Sequence, residues 1–432
     1  MQLREMALDA YSRVMDEGGY SNIVLNDMIN TSNLAANDRG LLTEIVYGTI
    51  SKKLTIQFYI RPFIRTKLKR WQRNLLDITV YQIVWLDRVP NYAAINEAVE
   101  IAKKWGGPND GKAINAILRS FEREPLEDFS QIKSDITRLS IETSIPEWII
   151  SHWKTHHGID GAREIAHTLS SRPKMYIRTN TARITRTELV TSLVDEGFSA
   201  IPSEIQKDAI EVSGEVLQSD LYQEGLFSIQ DVSSMLVNDA LSPEPDDVIL
   251  DACSAPGGKG LHALEKVPDG HVDLSDIHEH KIAQIEQQAE RLRLTGYSAF
   301  QGDATSKDYP KQYDRIIVDA PCSGLGVIRR KPEIRYERKA EDVDTLVDLQ
   351  LEILSNIKNY LKPGGVLIYS TCTIHQMENE NVAYTFMKQN DDIEFDPFVL
   401  DAFDFEGPYR QILPQEAGTD GFFIARFRKK EK

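Results

Sequence analysis

Cysteine is scarce in this chain: 432 residues carry three, with no C-x-x-C pair among them. An odd, small number without metal-type spacing excludes a disulfide framework and argues against a structural zinc site, so no metal is expected. Long apolar runs are lacking too; none approaches the roughly 18 residues that a membrane span needs. The first residues, Met1 to Val14, follow a charged amphipathic helix pattern rather than that of a signal peptide. These absences point to a cytoplasmic protein without a membrane partner, and a monomer is expected. Positive charge is the third shortage, since 50 Lys and Arg against 66 Asp and Glu leave a net charge of −16. Taken alone, that balance disfavours a nucleic-acid partner, because neutralising phosphates requires a local excess of cations.

Local clusters decide the matter, and two stand out. Lys52, Lys53, Arg61, Arg65, Lys67, Lys69, Arg70 and Arg73 crowd one segment together with Tyr59, Phe63 and Trp71. Arg329, Arg330, Lys331, Arg335, Arg338 and Lys339 crowd another. An isolated charge run is more often a solvated face than a binding site. The second cluster carries more weight because it begins shortly after Cys322.

The length exceeds that at which single cores stop growing, so two or three domains are expected. Up to about residue 122 the apolar positions keep helical spacing, as in Leu3, Met6, Ala7, Ala10 and Val14, or Ile95, Ala98, Val99 and Ala102. This reads as an all-helical domain over residues 1–143, its end an acidic, partly helical linker. Residues 144–235 read as a small α+β domain, opening on a helix after Pro146, then Met175–Arg178 as a strand, a helix ending at Gly197 and a second strand at Ala209–Val212. Tyr176 and Arg178 on that first strand offer a stacking and phosphate surface to single-stranded RNA, or simply a half-buried face. From residue 236 to 432 strand, loop and helix alternate, with strands at 248–250, 271–275, 298–301, 316–318, 366–369 and 422–427. That alternation predicts a doubly wound, Rossmann-like α/β sheet.

Two of these strands end in cysteine. Ile316-Ile317-Val318 runs into Asp319-Ala320-Pro321-Cys322-Ser323-Gly324, and Val366 to Tyr369 runs into Ser370-Thr371-Cys372. Carboxyl ends of strands are where open α/β sheets bind ligands. The first strand of the domain leads into Cys253-Ser254-Ala255-Pro256-Gly257-Gly258-Lys259, a glycine-bearing loop that lets a ligand approach the backbone. Asp276, Asp303 and Asp319 each end a later strand. A loop lacking G-x-G-x-x-G, beside a row of acids, suits a cationic adenosyl ligand better than a dinucleotide, and S-adenosylmethionine is the natural candidate. The two thiols then have a use. A thiolate that adds to carbon 6 of a cytosine makes carbon 5 nucleophilic enough to attack an activated methyl group, and a base must afterwards remove the carbon 5 proton. At an unperturbed pKa of about 8.5 neither thiol is much ionised, so a cation such as Lys259 matters. Cys253 sits in a turn and reads as packing. His278-Glu279-His280, with no further ligand set, reads as a solvated helix start.

Two resemblances follow from these motifs. Asp38-Arg39-Gly40, Tyr92 to Val99 and Lys112 to Arg119 resemble the NusB-type RNA-binding helical domain. Asp251 to Lys259, Asp319 to Gly324, Ser370-Thr371-Cys372 with Glu378-Asn379-Glu380, and Asp420-Gly421-Phe422-Phe423 resemble the Sun/Nop family of RNA cytosine carbon-5 methyltransferases. The coupling of the two halves is similar to that of bacterial enzymes acting on 16S rRNA. The resemblance implies S-adenosylmethionine as cofactor, Cys372 as nucleophile and Cys322 as the thiol that assists product release. It also implies naked 16S rRNA or a small-subunit assembly intermediate as partner, with cytosine 967 as the target. DNA cytosine methyltransferases use their Pro-Cys thiol as nucleophile, so the swapped assignment stays open at this point. Arg329, Arg330, Lys331 and Arg335 are then expected to hold the RNA backbone at the mouth of the site. Gly260 departs from the family pattern, which often has threonine there. Alternative readings are a tRNA methyltransferase, for which the helical domain has no evident use, and a non-catalytic rRNA-binding assembly factor, which needs neither thiol.

Overall fold

A computed structural model describes residues 2–431. Its contacts divide the chain into two units, residues 1–171 with 328–338, and residues 172–327 with 339–432. The helical unit is built from α1 (Leu3–Glu17), α2 (Ser21–Thr31), α3 (Ala36–Ser51), α4 (Lys53–Ile60), α5 (Arg70–Trp85), α6 (Asn91–Gly106), α7 (Pro108–Arg123), α8 (Asp135–Thr143) and α9 (Glu147–Ser170). The apolar stripes legible in the sequence meet in one core that includes Leu8, Tyr11, Ile45, Leu76, Ile95 and Leu118. The acidic linker does form a helix: Ser134 caps α8 by accepting from Thr137 N at 3.2 Å. By contacts this unit extends to residue 171, because α8 packs on α4 and α9 packs on α8.

Asp77 on α5 is a buried acid in that core, accepting from the Tyr11 hydroxyl at 3.0 Å. Burial, only partly opposed by the Tyr11 hydrogen bond and by Lys53, raises its pKa from 3.8 to about 7. A carboxyl whose folded pKa lies above its unfolded value contributes stability that is complete below the unfolded pKa, about 4, and is lost as pH rises through the folded one. Asp77→Asn is therefore expected to flatten the loss of stability between about pH 4 and 7, an effect on the order of a few kcal/mol. Urea denaturation of the full chain at pH 5 and pH 8 measures it, and an unchanged pH slope refutes it.

The second unit opens on a small antiparallel sheet, β1 (Met175–Thr179), β2 (Ser199–Pro202), β3 (Ala209–Ser213) and β4 (Phe227–Ile229), in the order β2-β3-β1-β4, with α10 (Arg186–Asp195) and the short α11 (Asp220–Gln223). Then come α12 (Val232–Leu241), β5 (Val248–Asp251), α13 (Gly258–Leu264), β6 (His271–Asp276), α14 (Glu279–Leu292), β7 (Tyr297–Gln301) and β8 (Tyr313–Asp319). After the one-turn α15 (Ile334–Glu337), which packs in the helical unit, follow α16 (Asp342–Ile357), β9 (Leu361–Thr371), α17 (Glu380–Gln389), β10 (Ile393–Phe395), β11 (Phe398–Leu400), β12 (Phe405–Gly407), β13 (Tyr409–Ile412), α18 (Pro414–Ala417) and β14 (Phe422–Lys429). The large sheet runs β10-β14-β9-β8-β5-β6-β7, with β13 also paired to β14. Its β7-β6-β5-β8-β9 part is parallel and β14 is antiparallel to β9.

Alternating residues of each central strand enter opposite cores. Ile249, Ile317 and Ile368 face α12, α13 and α14, whereas Leu250, Ile316, Val318 and Leu367 face α16 and α17. Burial on both faces is what makes these strands continuous apolar runs. Strand order reverses between β5 and β8, the switch point at which such sheets form a crevice. No helix among the described residues is long and apolar enough to cross a membrane.

Candidate active site

Strand register delivers the thiols. β8 and β9 run parallel with Asp319 opposite Ser370, and Ala320 N extends the ladder to Ser370 O at 2.9 Å. Cys322, three residues past Asp319, and Cys372, two past Ser370, therefore emerge side by side, their Sγ atoms 3.4 Å apart. The turn is fixed from behind: Gly326 N donates to Cys372 O and Gly421 N to Gly326 O, both at 3.0 Å. A Cβ at Gly326 would lie 1.9 Å from Gly421 O, so this approach needs glycine.

Glu378 is the residue whose role the sequence left blank. It is fully buried and accepts from Ser323 N at 2.7 Å, from the Ser323 hydroxyl, and from Gln350 Nε2 at 3.2 Å. Thr373 Oγ1 lies 2.8 Å from the same hydroxyl. Glu378 thus joins the loop of Cys322 to the segment that follows Cys372. The only signal for it in the sequence was its place in the Glu378-Asn379-Glu380 motif.

Lys259 and Asp319 form an ion pair at 2.5 Å beside the thiols, and the ammonium also stands 5.3 Å over the Phe422 ring. Ser370 Oγ holds the other Asp319 oxygen at 2.9 Å. Burial disfavours the Lys259 ammonium, but Asp319 and Asp251 more than offset it, with Cys372 adding to them, and its pKa ends above the ordinary lysine value. Asp251 lies beneath; burial first, then the Asp319 charge, pushes its pKa up to about 7. The hydrogen bond to Cys372, then burial, pushes the Cys322 thiol up, and burial with the surrounding acids does the same to Cys253. A Cys253 thiol held neutral fits its reading as packing.

A cavity of about 410 Å³ opens at the switch point, lined by Cys253, Ala255, Asp276, Asp303, Asp319 and Pro321 among others. Asp276 accepts from Ala255 N at 3.3 Å and His278 N at 3.1 Å, and Asp303 from Thr305 N and Oγ1 at 2.9 and 2.7 Å. Five of the expected cofactor residues thus line it. The other five serve the loop instead. Ser254 N bonds Ser275 O at 2.8 Å, Gly257 takes φ +100° to start α13, and Lys259 turns to Asp319. Pro256 and Gly258 line a different cleft. At Gly260 a Cβ would meet Leu274 Cδ2 at 2.2 Å and Asp251 Oδ2 at 2.8 Å, so this chain packs against the glycine and has no room for threonine.

Two expectations about arginines fail. Arg335 is 1 % exposed and donates to Ser144 O at 3.2 Å and Ile328 O at 2.9 Å, and Glu333 beside it accepts from Ser21 N and Oγ at 3.1 and 2.8 Å. Arg329 is buried as well, whereas Arg330 and Arg338 are half-buried and Lys331 and Lys339 exposed. The segment anchors itself in the helical unit instead of offering Arg335 to RNA. Arg335→Ala is expected to destabilise the protein by about 2–4 kcal/mol, because buried carbonyls lose a charged donor. Chemical denaturation reads this, and a loss below about 0.5 kcal/mol, as at an ordinary surface site, contradicts it. Tyr176 and Arg178 are likewise buried rather than displayed. Arg178 pairs with Glu265 at 2.7 Å and donates to Gly258 O at 2.6 Å, so β1 braces the loop before α13.

Comparison with known proteins follows the same three parts. Residues 1–123 match the NusB family, 145–217 the ferredoxin-like domain of RsmF/B-like methyltransferases, and 238–428 the 16S rRNA methyltransferase RsmB/F family. A probable ribosomal RNA small subunit methyltransferase B of Bacillus subtilis is 40% identical, with 99% of each chain covered. Ribosomal RNA small subunit methyltransferase B of Yersinia pseudotuberculosis is 32% identical, again over 99% of both. Among solved structures, a methyltransferase homolog protein from Pyrococcus horikoshii aligns with a TM-score of 0.60 and 26% identity, covering 69% of this chain and 100% of that one. Likeness that extends end to end, through the helical, ferredoxin-like and catalytic parts alike, places the chain in the RsmB/F family of 16S rRNA methyltransferases.

Proposed function

We propose that the protein methylates carbon 5 of a cytosine in 16S rRNA, cytosine 967, by way of a covalent Cys372 adduct with S-adenosylmethionine as methyl donor. The observation that carries this reading is the pair of thiols 3.4 Å apart beside an acid-rich cavity. The cavity suits the cofactor by its chemistry: of its three carboxylates, Asp276, Asp303 and Asp319, the last is met by Lys259 and the lining adds Lys281, a balance that stays acidic, welcomes a sulfonium and opposes a pyrophosphate. When bound, the cofactor supplies an electrophilic methyl group.

The chain's own residues do the rest. Cys372 adds as thiolate to carbon 6 of the cytosine; the S–C6 bond forms and the C5–C6 π pair becomes available at carbon 5 for the methyl group. The Lys259 ammonium, in electrostatic reach of Cys372, favours that thiolate. Cys322 Sγ lies 3.4 Å from that sulfur, within hydrogen-bond distance of it. On this reading Cys372 takes the charged role and Cys322 the neutral one. A base, water or the Asp319 carboxylate beside the thiols, then takes the carbon 5 proton; the C–H pair restores the C5–C6 double bond, and the C6–S bond breaks with its pair returning to sulfur.

Incubating the protein with tritiated S-adenosylmethionine and rRNA from a strain deleted for the gene, then mapping 5-methylcytosine by bisulfite sequencing, tests the reading. One new 5-methylcytosine in 16S rRNA supports it. Label on another base, or on tRNA only, overturns it.

A further inference from the structure

A second cleft, of about 360 Å³, lies between β4, α14 and the Pro256–Gly258 stretch of the loop, and the chemistry above leaves it unused. Among the described residues in its lining, the charged side chains are Arg178 and Arg291, and the lining holds no acid, in a chain of net charge −16. Arg291 lies 4.0 Å over the Tyr222 ring, and its Nη1 is pinned by the Tyr222 and Phe227 carbonyls at 2.8 and 3.0 Å. Arg178 is 1 % exposed, and its Nε has no hydrogen-bond partner among the described residues. A single carboxylate, Glu265, neutralises Arg178, which leaves an excess of positive charge at this spot.

The helix supplies the rest. Gln284, Gln287 and Gln288 share one face of α14 with Arg291, at i, i+3, i+4 and i+7, next to the apolar face of Ile282, Ile285 and Ala289. Gln284 and Gln287 are exposed amides, and Ile229 and Leu217 flank the cleft at 45% exposure each. An aromatic–guanidinium stack, an excess of positive charge and amides that both donate and accept are the means by which proteins hold exposed RNA bases.

Bonded residues connect the cleft to the thiols. Gln230 bonds Arg178; Asp231 accepts from Asp420 N at 3.2 Å; Gly421 N bonds Gly326 O, and Gly326 N bonds Cys372 O. We propose that this cleft is a nucleotide subsite that takes one phosphate and base of the single-stranded RNA flanking the target cytosine. Arg178 and Arg291 supply the field for the phosphate, and Gln284 and Gln287 read the base edge. The proposal rests on the RNA methyltransferase reading above.

The test uses the full chain carrying Gln284→Glu with Gln287→Glu, and a neutral companion with alanine at both positions. Anisotropy with a fluorescent 16S rRNA transcript at ~0.1 M salt reads the affinity. The glutamate pair is expected to raise the Kd and the KM for RNA about tenfold or more, and the alanine pair about threefold, with the KM for S-adenosylmethionine within about twofold of wild type. Wild-type RNA affinity in both variants overturns the subsite, as does a parallel rise in the cofactor KM, which marks a damaged loop. Should the wild-type protein fail to methylate the transcript, the methyltransferase reading falls instead, while anisotropy still decides whether the cleft binds RNA.

Discussion

Replacing Cys372 by alanine is expected to abolish methyl transfer, with kcat falling about 10⁴-fold or more, because without the thiolate carbon 5 of the cytosine has no route to sufficient nucleophilicity. Single-turnover methylation of 16S rRNA with labelled cofactor measures the loss. The fold should survive, since the side chain shrinks by one sulfur at a half-exposed strand end whose backbone is held by Gly326 and Gly421. Cofactor affinity, read by calorimetry, should stay within about threefold of wild type, because Cys372 does not line the acid-rich cavity. The opposite pattern, in which the Cys372 variant retains activity and the Cys322 variant has none, assigns the nucleophile to the Pro-Cys loop and reverses the roles of the two thiols.

The site's outline was legible because it is written in consecutive residues. Apolar runs that stop at Asp251, Asp276, Asp319 and Ser370 announce strand ends, and parallel pairing of β8 with β9 turns a separation of 50 residues into 3.4 Å. What the sequence hid is whatever depends on burial. Arg178 and Arg335 read as RNA ligands because a guanidinium looks the same on paper whether it meets phosphate or a carbonyl oxygen. Both tie the fold together, Arg178 between β1 and the start of α13 and Arg335 among the carbonyls at the end of α8. Glu378 was visible as part of a motif, yet its link to Ser323 exists only after a 55-residue loop has closed. The strands β10 and β13 escaped because three or four residues at a sheet margin carry too little period to register. Nor is it legible that residues 328–338 join the helical unit, through contacts such as Glu333 with Ser21, 312 positions away in the chain.

That same closure makes Cys322 the second informative position. Ser323, next in sequence, is locked by Glu378 and Thr373, so the Cys322 thiol has little freedom to leave its neighbour. Its pKa is raised, first by the hydrogen bond to Cys372 and then by burial. In the proposed mechanism Cys322 serves as the donor that stabilises the Cys372 sulfur at the moment the C6–S bond breaks and negative charge returns to it. Cys322→Ala removes the donor without touching Lys259, Asp319 or the cavity. The first methyl transfer should then proceed, giving a burst near one methyl group per enzyme, while later turnovers slow by about 10²–10³-fold as the protein stays bonded to its product. An RNA-protein band that survives denaturing electrophoresis, labelled from the cofactor methyl and absent when Cys372 is also replaced, identifies the trapped species. A Cys322 variant that turns over at the wild-type rate with no such band removes the release role and leaves Cys322 as a packing residue. An intermediate result, slow turnover without a trapped band, moves the defect ahead of methyl transfer and makes Cys322 a residue that positions Cys372 for attack.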